Sequence, residues 1–396
     1  MEILGTNIWA VIGFAFAAYA VVGNDALQTL GTFINSNRRL PWWVLYLFAV
    51  SILLITFYWG WSSSLGDVSW GKLDKTDKFP IFEVHWYHAL PPMVLLLLTR
   101  FGIPVSTTFM VLATFATMSG MMTMLNKSLM GYAVAFATGG LIYAALAPSL
   151  ERWFLKTADS QHNPVWVVLQ WVTTGYLWGV WLIQDFANIF VYLPRNLPNA
   201  FNVGGEIVEA SKPDAQAIID KCNELFIGQA ELISSCLSDV SIASRSQNLS
   251  LMHASLGMGL IAIFLLITFA NRGGPVQKIL LTKTSVTDIR SATVIDFIYA
   301  TLLFAFSGNL QDFGIPISKV PMSTTWVFLG LIAGREFAIA TIDKVRSTGA
   351  TAKIVGMDLA KATLGIIISV VLALSMPYLA QQFDPVDEVT IDTNNN

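Results

Sequence analysis

The sequence predicts an all-α polytopic membrane protein built as two inverted five-segment repeats, with broken helices or re-entrant hairpins meeting near the bilayer midplane. Three observations predict it. Of the 396 residues, 54% are hydrophobic and 12% are charged, about half the charge of an ordinary soluble domain, and the mean hydropathy is +0.59. Several apolar runs approach the roughly 20 residues that a helix needs to cross a bilayer. Two short motifs also recur at one spacing: Leu-Leu-Ile-Thr-Phe at 53–57 and 265–269, and Phe-Gly-Ile-Pro at 101–104 and 313–316, each pair 212 residues apart. One repeated pentamer would be chance; two echoes with the same offset make chance a poor account.

Taken in order, the apolar segments span about 7–34 (broken at 23–25), 42–63, 84–100, 104–124, 129–150, 164–194 (broken near 184–185), 248–270, 291–308, 323–341 and 355–381. The Gly and Pro of each Phe-Gly-Ile-Pro break a helix, because Pro removes an N–H and clashes with the preceding turn. The Ser-Thr-Thr that follows is good capping material for a new helix. Within a bilayer such a break is tolerated only where it is buried in protein or lines a polar cavity. Paired breaks in two halves point to a transporter's substrate site. Segments 84–100 and 104–124, and their partners 291–308 and 323–341, form either re-entrant hairpins or pairs of full crossings.

Asp25 and Asp185 lie only 160 residues apart, and the 52 residues missing from the 212-residue offset match the polar segment 195–247. That segment is therefore an insertion in the second half, and the chain divides into repeats 1–160 and 161–383 with a polar acidic tail at 384–396. An odd number of segments per half makes the second half enter from the opposite side. Segment 206–245 has a helical look and serves as an outer cap or as a solvated helical loop. Cys222 and Cys236 within it form a disulfide or remain two free thiols. Arg38, Arg39, Arg152, Lys156, Arg272, Lys278, Lys283, Lys344, Arg346 and Lys353 fall in alternate loops, which marks those loops as cytoplasmic and puts both termini outside. The expected location is the plasma membrane or a prokaryotic inner membrane.

No basic stripe suits nucleic acid. No His/Glu/Asp metal constellation, Ser-His pairing or nucleotide loop suits an enzyme, and no organic cofactor is expected. The polar residues inside apolar runs carry the chemistry. An Asp at mid-membrane costs about 2.5–3.5 kcal/mol and usually faces a cavity. Asp25 is followed three residues later by Gln28, and Asp185 by Asn188. That spacing places carboxylate and amide on one helical face, a donor set suited to a hard cation such as Na⁺. Ser106, Thr107 and Thr108, mirrored by Ser323, Thr324 and Thr325, supply hydroxyl donors beside a helix start, a site for a small tetrahedral anion.

Gly23-Asn-Asp-Ala-Leu-Gln-Thr-Leu-Gly-Thr32 resembles the first signature of the inorganic phosphate transporter (PiT) family, and Pro104-Val-Ser-Thr-Thr108 and Pro321-Met-Ser-Thr-Thr325 resemble its two P-V-S-T-T copies. The resemblance covers roughly 8–125 and 170–340. It implies symport of inorganic phosphate with Na⁺, or with H⁺, by alternating access. It also implies cation ligation by Asp25 and Asp185, with Asn24 and Gln184 at the adjoining amide positions, and phosphate contact by the two triplets. Phe109 stands where the family has His, Gln28 and Gln184 replace Asn, and Val191-Tyr192 replace Gly-Pro. Five extra residues, Lys319 among them, precede the second triplet. These departures keep sulfate or another small oxyanion open as substrate. An ion channel lined by Asp25 and Asp185 is a further alternative, and a homodimer is an admissible assembly.

Arg100 and Asp312 precede the two Phe-Gly-Ile-Pro turns at matched positions, as interface anchors or opposite-sign gate residues. His85 and His88 are candidates for proton relay. Asp296 is a further intramembrane carboxylate, and Arg335-Glu336 is expected to neutralise itself.

Overall fold

A computed structural model of the chain describes residues 2–3, 5–100, 105–157, 163–196, 199–203, 206–210, 215–238, 241–245, 248–271, 289–310, 314, 316–342 and 347–383. Residues 101–104, 312–313 and 315, the basic residues of 272–283, Lys344 and Arg346, and the tail 384–396 lie outside the described residues.

After a two-stranded ribbon, β1 (Glu2–Ile3) with β2 (Thr6–Asn7), α1 (Ile8–Ala20) continues through one wide π turn, Val21–Asp25, into α2 (Ala26–Ser36). The interruption expected at 23–25 is thus a local widening of a helix rather than a loop. Next, α3 (Trp42–Ser63) has the bounds expected for its segment. A long connection, 64–85, and a 3₁₀ turn, Trp86–Ala89, lead to α4 (Leu90–Arg100).

Beyond the Phe-Gly-Ile-Pro stretch come the short α5 (Thr107–Met110), a 3₁₀ turn (Leu112–Phe115) and α6 (Met118–Lys156), a helix of 39 residues. At 1.5 Å per residue it is about 58 Å long. The expected segments 104–124 and 129–150 are therefore redrawn as a short capped element followed by one continuous helix through Asn126-Lys-Ser128. Thr117 starts α6 by accepting a hydrogen bond from the Gly120 N–H at 3.2 Å.

The next helix, α7 (Pro164–Phe190), is capped by Asn163 with Pro164 in its first turn, and it runs unbroken through Gln184-Asp185. The break expected there is absent for a physical reason. The Gln184 side chain donates to the Leu303 carbonyl at 3.0 Å and the Asp185 carboxylate accepts from neighbouring side chains, so neither competes for the helix's own backbone.

The polar insertion is mixed rather than helical. Strands β3 (Asn199–Val203), β4 (Glu206–Ala210) and β5 (Ser241–Arg245) form an antiparallel sheet in the order β4-β3-β5, with α8 (Ala215–Leu225) and α9 (Ala230–Ser238) between β4 and β5. Cys222 and Cys236 are joined in a disulfide between α8 and α9. The chain ends in α10 (Leu251–Ala270), α11 (Ile289–Ala305), α12 (Thr324–Ile342) and α13 (Thr348–Phe383).

Among the described residues, six helices are long and apolar enough to cross a membrane: α3, the 118–145 part of α6, α7, α10, α12 and α13. Their outer faces carry exposed large apolar side chains, including Ile55, Tyr58, Leu141, Val168 and Val371, as lipid contact requires. The chain is a multi-pass membrane protein.

Inside the bundle α6 packs along α12 and α7 along α11, while α13 covers α5. Helix α1 meets α10, and α3 touches both α7 and α10. The α6–α12 seam is close because Gly139 lies on the Leu331 backbone, Gly330 on the Tyr132 carbonyl and Gly334 on the Phe136 carbonyl. Small residues four apart allow this approach of two backbones.

Candidate functional site

A polar cluster forms inside the bundle where α7 meets the two Ser-Thr-Thr triplets. Each triplet begins a helix as the sequence suggests: Ser106 Oγ accepts from the Phe109 N–H at 3.3 Å to start α5, and Ser323 Oγ accepts from the Trp326 N–H at 3.3 Å to start α12. The first of these helices has only four residues. Its first triplet therefore contributes hydroxyl groups rather than a helix dipole, and α12 alone has the length to present one.

Asp185 and Asn188 sit one turn apart on α7, both fully buried. The Asn188 amide donates to Thr107 Oγ1 and Thr108 Oγ1, each at 3.2 Å, and to the Asp185 carboxylate. On the other side of the same carboxylate, Thr324 Oγ1 donates to Asp185 Oδ2 at 3.1 Å. The two triplets, 217 positions apart at Thr107 and Thr324, thus meet across one Asp-Asn pair. Further bonds hold them there. Thr108 Oγ1 donates to the Met322 carbonyl at 3.2 Å, the Ser323 N–H to Ser128 Oγ at 2.9 Å, and Tyr299 OH to the Thr324 carbonyl at 3.1 Å.

Three polar atoms of this neighbourhood are buried with no hydrogen-bond partner: Gln184 Oε1, Asn188 Oδ1 and Thr325 Oγ1. Leaving an acceptor dry and unpaired costs about 1–3 kcal/mol, so each is a position where a ligand can repay the loss. All are oxygens, the donor type that a hard cation takes, and the Asp185 carboxylate beside them supplies the charge. The threonine hydroxyls can also donate to an anion's oxygens.

In the first half, the wide turn Val21–Asp25 packs on α10, and α2 packs on α7 and α11. The side chains of Asn24, Asp25 and Gln28 lie outside the described residues. So do those of Arg100 and Asp312. His85 and His88 cap the 3₁₀ turn, the His88 ring accepting from the His85 N–H at 2.9 Å, and they lie in an aromatic stack with Phe82, Tyr87 and Phe115. Asp296 accepts from Thr174 Oγ1 at 2.8 Å, eleven residues along α7 from Asp185. Arg335 and Glu336 pair with each other at 3.4 Å.

Sequence reasoning passed over two residues that hold the second triplet and the stretch before it, and a further buried lysine. Ser128 and Lys127 lie where a loop between two segments is expected, yet both are buried on α6. Lys127 Nζ donates to the Ser318 and Val320 carbonyls at 2.6 and 2.7 Å. Lys72 is fully buried within the connection 64–85. A lone Lys between apolar runs was the available signal for Lys127; nothing local marks Lys72.

The site is therefore a buried carboxylate framed by two capped triplets inside a multi-pass helical bundle. The chain is similar over 95% of its length to a solved structure, the sodium-dependent phosphate transporter, of which it covers 98%, with a TM-score of 0.50 at 15% identity. That likeness shows a shared fold. No protein-family model matches the chain, and no curated relative matches it either.

Proposed function

We propose that the chain is a secondary transporter that carries inorganic phosphate together with a coupling cation, Na⁺ in preference to H⁺, by alternating access. The observation that carries this reading is the meeting of both Ser-Thr-Thr triplets on Asp185 and Asn188. Ser106, Thr107, Thr108, Ser323, Thr324 and Thr325 bind the oxyanion. Asp185, Asn188 and Gln184 hold one cation with side-chain oxygens, and Asn24, Asp25 and Gln28 hold another in the first half. The shared fold with a transporter described as sodium-dependent and phosphate-carrying supports the choice of ions.

The inverted repeat belongs to this proposal. It is supported by packing partners that exchange between halves: α1 meets α10 while α3 meets α7, and α6 meets α12 while α13 meets α5. Outward-facing termini are supported by contacts that sort by side. Arg290 donates to the Phe154 and Thr157 carbonyls among the basic loops, whereas the connection 64–85 is bonded to Arg195 and Asn248. Radiolabelled phosphate uptake into proteoliposomes, with and without an inward Na⁺ gradient, tests the reading. Gradient-driven uptake competed by phosphate and not by sulfate is expected, and Asp185→Asn should lower it at least about tenfold. Near-normal uptake by that variant would remove the cation role, and competition by sulfate alone would reassign the substrate.

A further inference from the structure

A cavity of about 310 Å³ opens at the end of α7, between the residues that follow that helix, the connection 64–85 and the start of α1. It is far larger than the roughly 10–15 Å³ that admits one water, so it has room for a small ion with part of its hydration shell. Its rim reaches the outside of the molecule, where Ile81 and Phe82 are each 40% exposed. Its inner wall adjoins the site described above. Val191, which lines it, comes three residues after Asn188, about 5 Å further along the helix axis. Beside Val191, the Tyr192 ring meets the Phe115 ring edge-on at 4.8 Å, and its hydroxyl donates to the His88 carbonyl at 2.8 Å. Phe115 ends the 3₁₀ turn that follows the first triplet. The two rings therefore stand on the continuations of the elements that Asn188 and Thr107 join.

The buried charge on this cavity is a cation. Arg195 is 8% exposed, and its guanidinium donates to the Leu73, Phe79 and Pro80 carbonyls at 2.9, 3.4 and 3.1 Å. A guanidinium has five N–H donors, so two remain. None of the described carboxylates forms an ion pair with it. Burial lowers Arg195 from 12.5 to about 10 against the opposing charges of Asp67 and Asp74, which leaves it protonated at neutral pH. Glu83 lines the same cavity, but it is exposed and accepts from the Asn7 side chain at 3.0 Å. Water screens its charge, whereas a buried charge is screened much less.

We propose that this cavity is an entry vestibule, in which Arg195 captures the oxyanion with its two remaining N–H groups before the ion passes Tyr192 and Phe115 to the Ser-Thr-Thr triplets. This rests on the transport reading above. Hydrogen bonds between a guanidinium and a phosphate are strong because both partners are charged. The apolar walls at Ala10, Phe115 and Val191 focus the field of Arg195 on the ion and raise its local concentration.

The test uses the full-length chain in proteoliposomes with Ile81→Cys at the rim, the native Cys222 and Cys236 being joined in a disulfide. Water-soluble methanethiosulfonates should modify this variant, and phosphate, unlike chloride, should slow the reaction with half-protection near its transport KM. An adduct bearing a sulfonate should raise the KM for phosphate about tenfold at low salt, and one bearing a trimethylammonium should leave it within about twofold. Arg195→Gln should likewise raise the KM about tenfold, and Arg195→Lys should recover most of that loss. Modification that phosphate does not slow, equal effects of the two adducts, or no modification at all overturns the vestibule while leaving uptake by the native protein intact. So does a native KM in Arg195→Gln. Ile81 is exposed, so the cysteine measurements decide the matter even if Arg195→Gln fails to fold. Absence of phosphate uptake by the native protein would instead overturn the transport reading and the vestibule with it.

Discussion

At the scale of single residues, the site is a set of short-range bonds whose removal has calculable effects. Thr324 Oγ1 donates to a buried carboxylate, and hydrogen bonds to charged groups contribute about 1.5–3 kcal/mol. Thr324→Val should therefore weaken cation-dependent phosphate uptake about tenfold or more, read as a rise in the Na⁺ concentration for half-maximal uptake. Lys72 makes a pH prediction. Burial pulls its ammonium down from 10.5 to about 7, with Asp67 and Asp185 opposing the shift and Lys319 and Lys75 adding to it. Between roughly pH 7 and 10.5 the unfolded chain holds a proton at this position that the folded chain lacks. Stability from this group consequently rises with pH across that window and is lowest below 7. Melting temperatures of the purified protein at pH 7 and pH 9.5 should differ in that direction, and Lys72→Met should shrink the difference. Residues of this kind divide sharply in how readable they are. Asp185, Asn188 and the triplets stand out in the sequence because polar atoms in apolar runs need a reason. Lys72 does not, because a lysine in a polar connection is ordinary until the fold buries it.

At the scale of elements, helix bounds follow hydropathy closely where runs are long and uninterrupted, as in α3 and α10. They fail where polar residues interrupt a run: Gln184-Asp185 and Lys127-Ser128 stay helical because these side chains find partners outside their own helix, at the Leu303 carbonyl, Thr324, the Ser318 and Val320 carbonyls and the Ser323 N–H. Hydropathy measures what a residue loses in lipid and is blind to what it gains from a neighbour. Strand β4 was legible from its Ile and Val, but acidic residues among apolar ones gave 206–245 a helical look. The glycine seam was legible too, since Gly330 and Gly334 are four residues apart. It predicts that Gly334→Ala, whose methyl would press on the Phe136 carbonyl, costs about 1–3 kcal/mol. Gly259→Ala, which meets nothing within 4 Å, should be near neutral. Thermal melting of the two variants in one detergent checks both.

At the scale of the whole molecule, the proposed repeat was read from two equal offsets and the proposed insertion from the one offset that differed. How the halves interlock was not, because the exchange of partners between α6–α12 and α13–α5 depends on tertiary contact. The disulfide gives a test of sidedness. Cys236 is left as a lone thiol in Cys222→Ser, and an impermeant maleimide applied to intact cells should label it if the insertion faces out. Labelling only after permeabilisation would invert the proposed topology. The connection 64–85 is fastened to both halves: Arg195 donates to the Leu73 carbonyl at 2.9 Å, Asn248 donates to Asp74 at 2.8 Å, and the Thr117 N–H donates to the Lys78 carbonyl at 2.8 Å.

The continuity of α7 sets the two carboxylates apart. An intact α-helix keeps its carbonyls engaged, so α7 itself offers a cation at Asp185 side chains and no backbone oxygen. The π turn at Val21–Asp25 breaks the α-helical bonding pattern of the first helix, a local widening that α7 lacks. If Asp25 and Asp185 each hold a cation as proposed, their differing backbones give the two sites different affinities, and Na⁺ activation of phosphate uptake should show a tight and a loose component instead of one Hill curve. Two unequal occupancies filled in a fixed order would give the cycle a defined direction of loading that a strictly symmetric pair lacks.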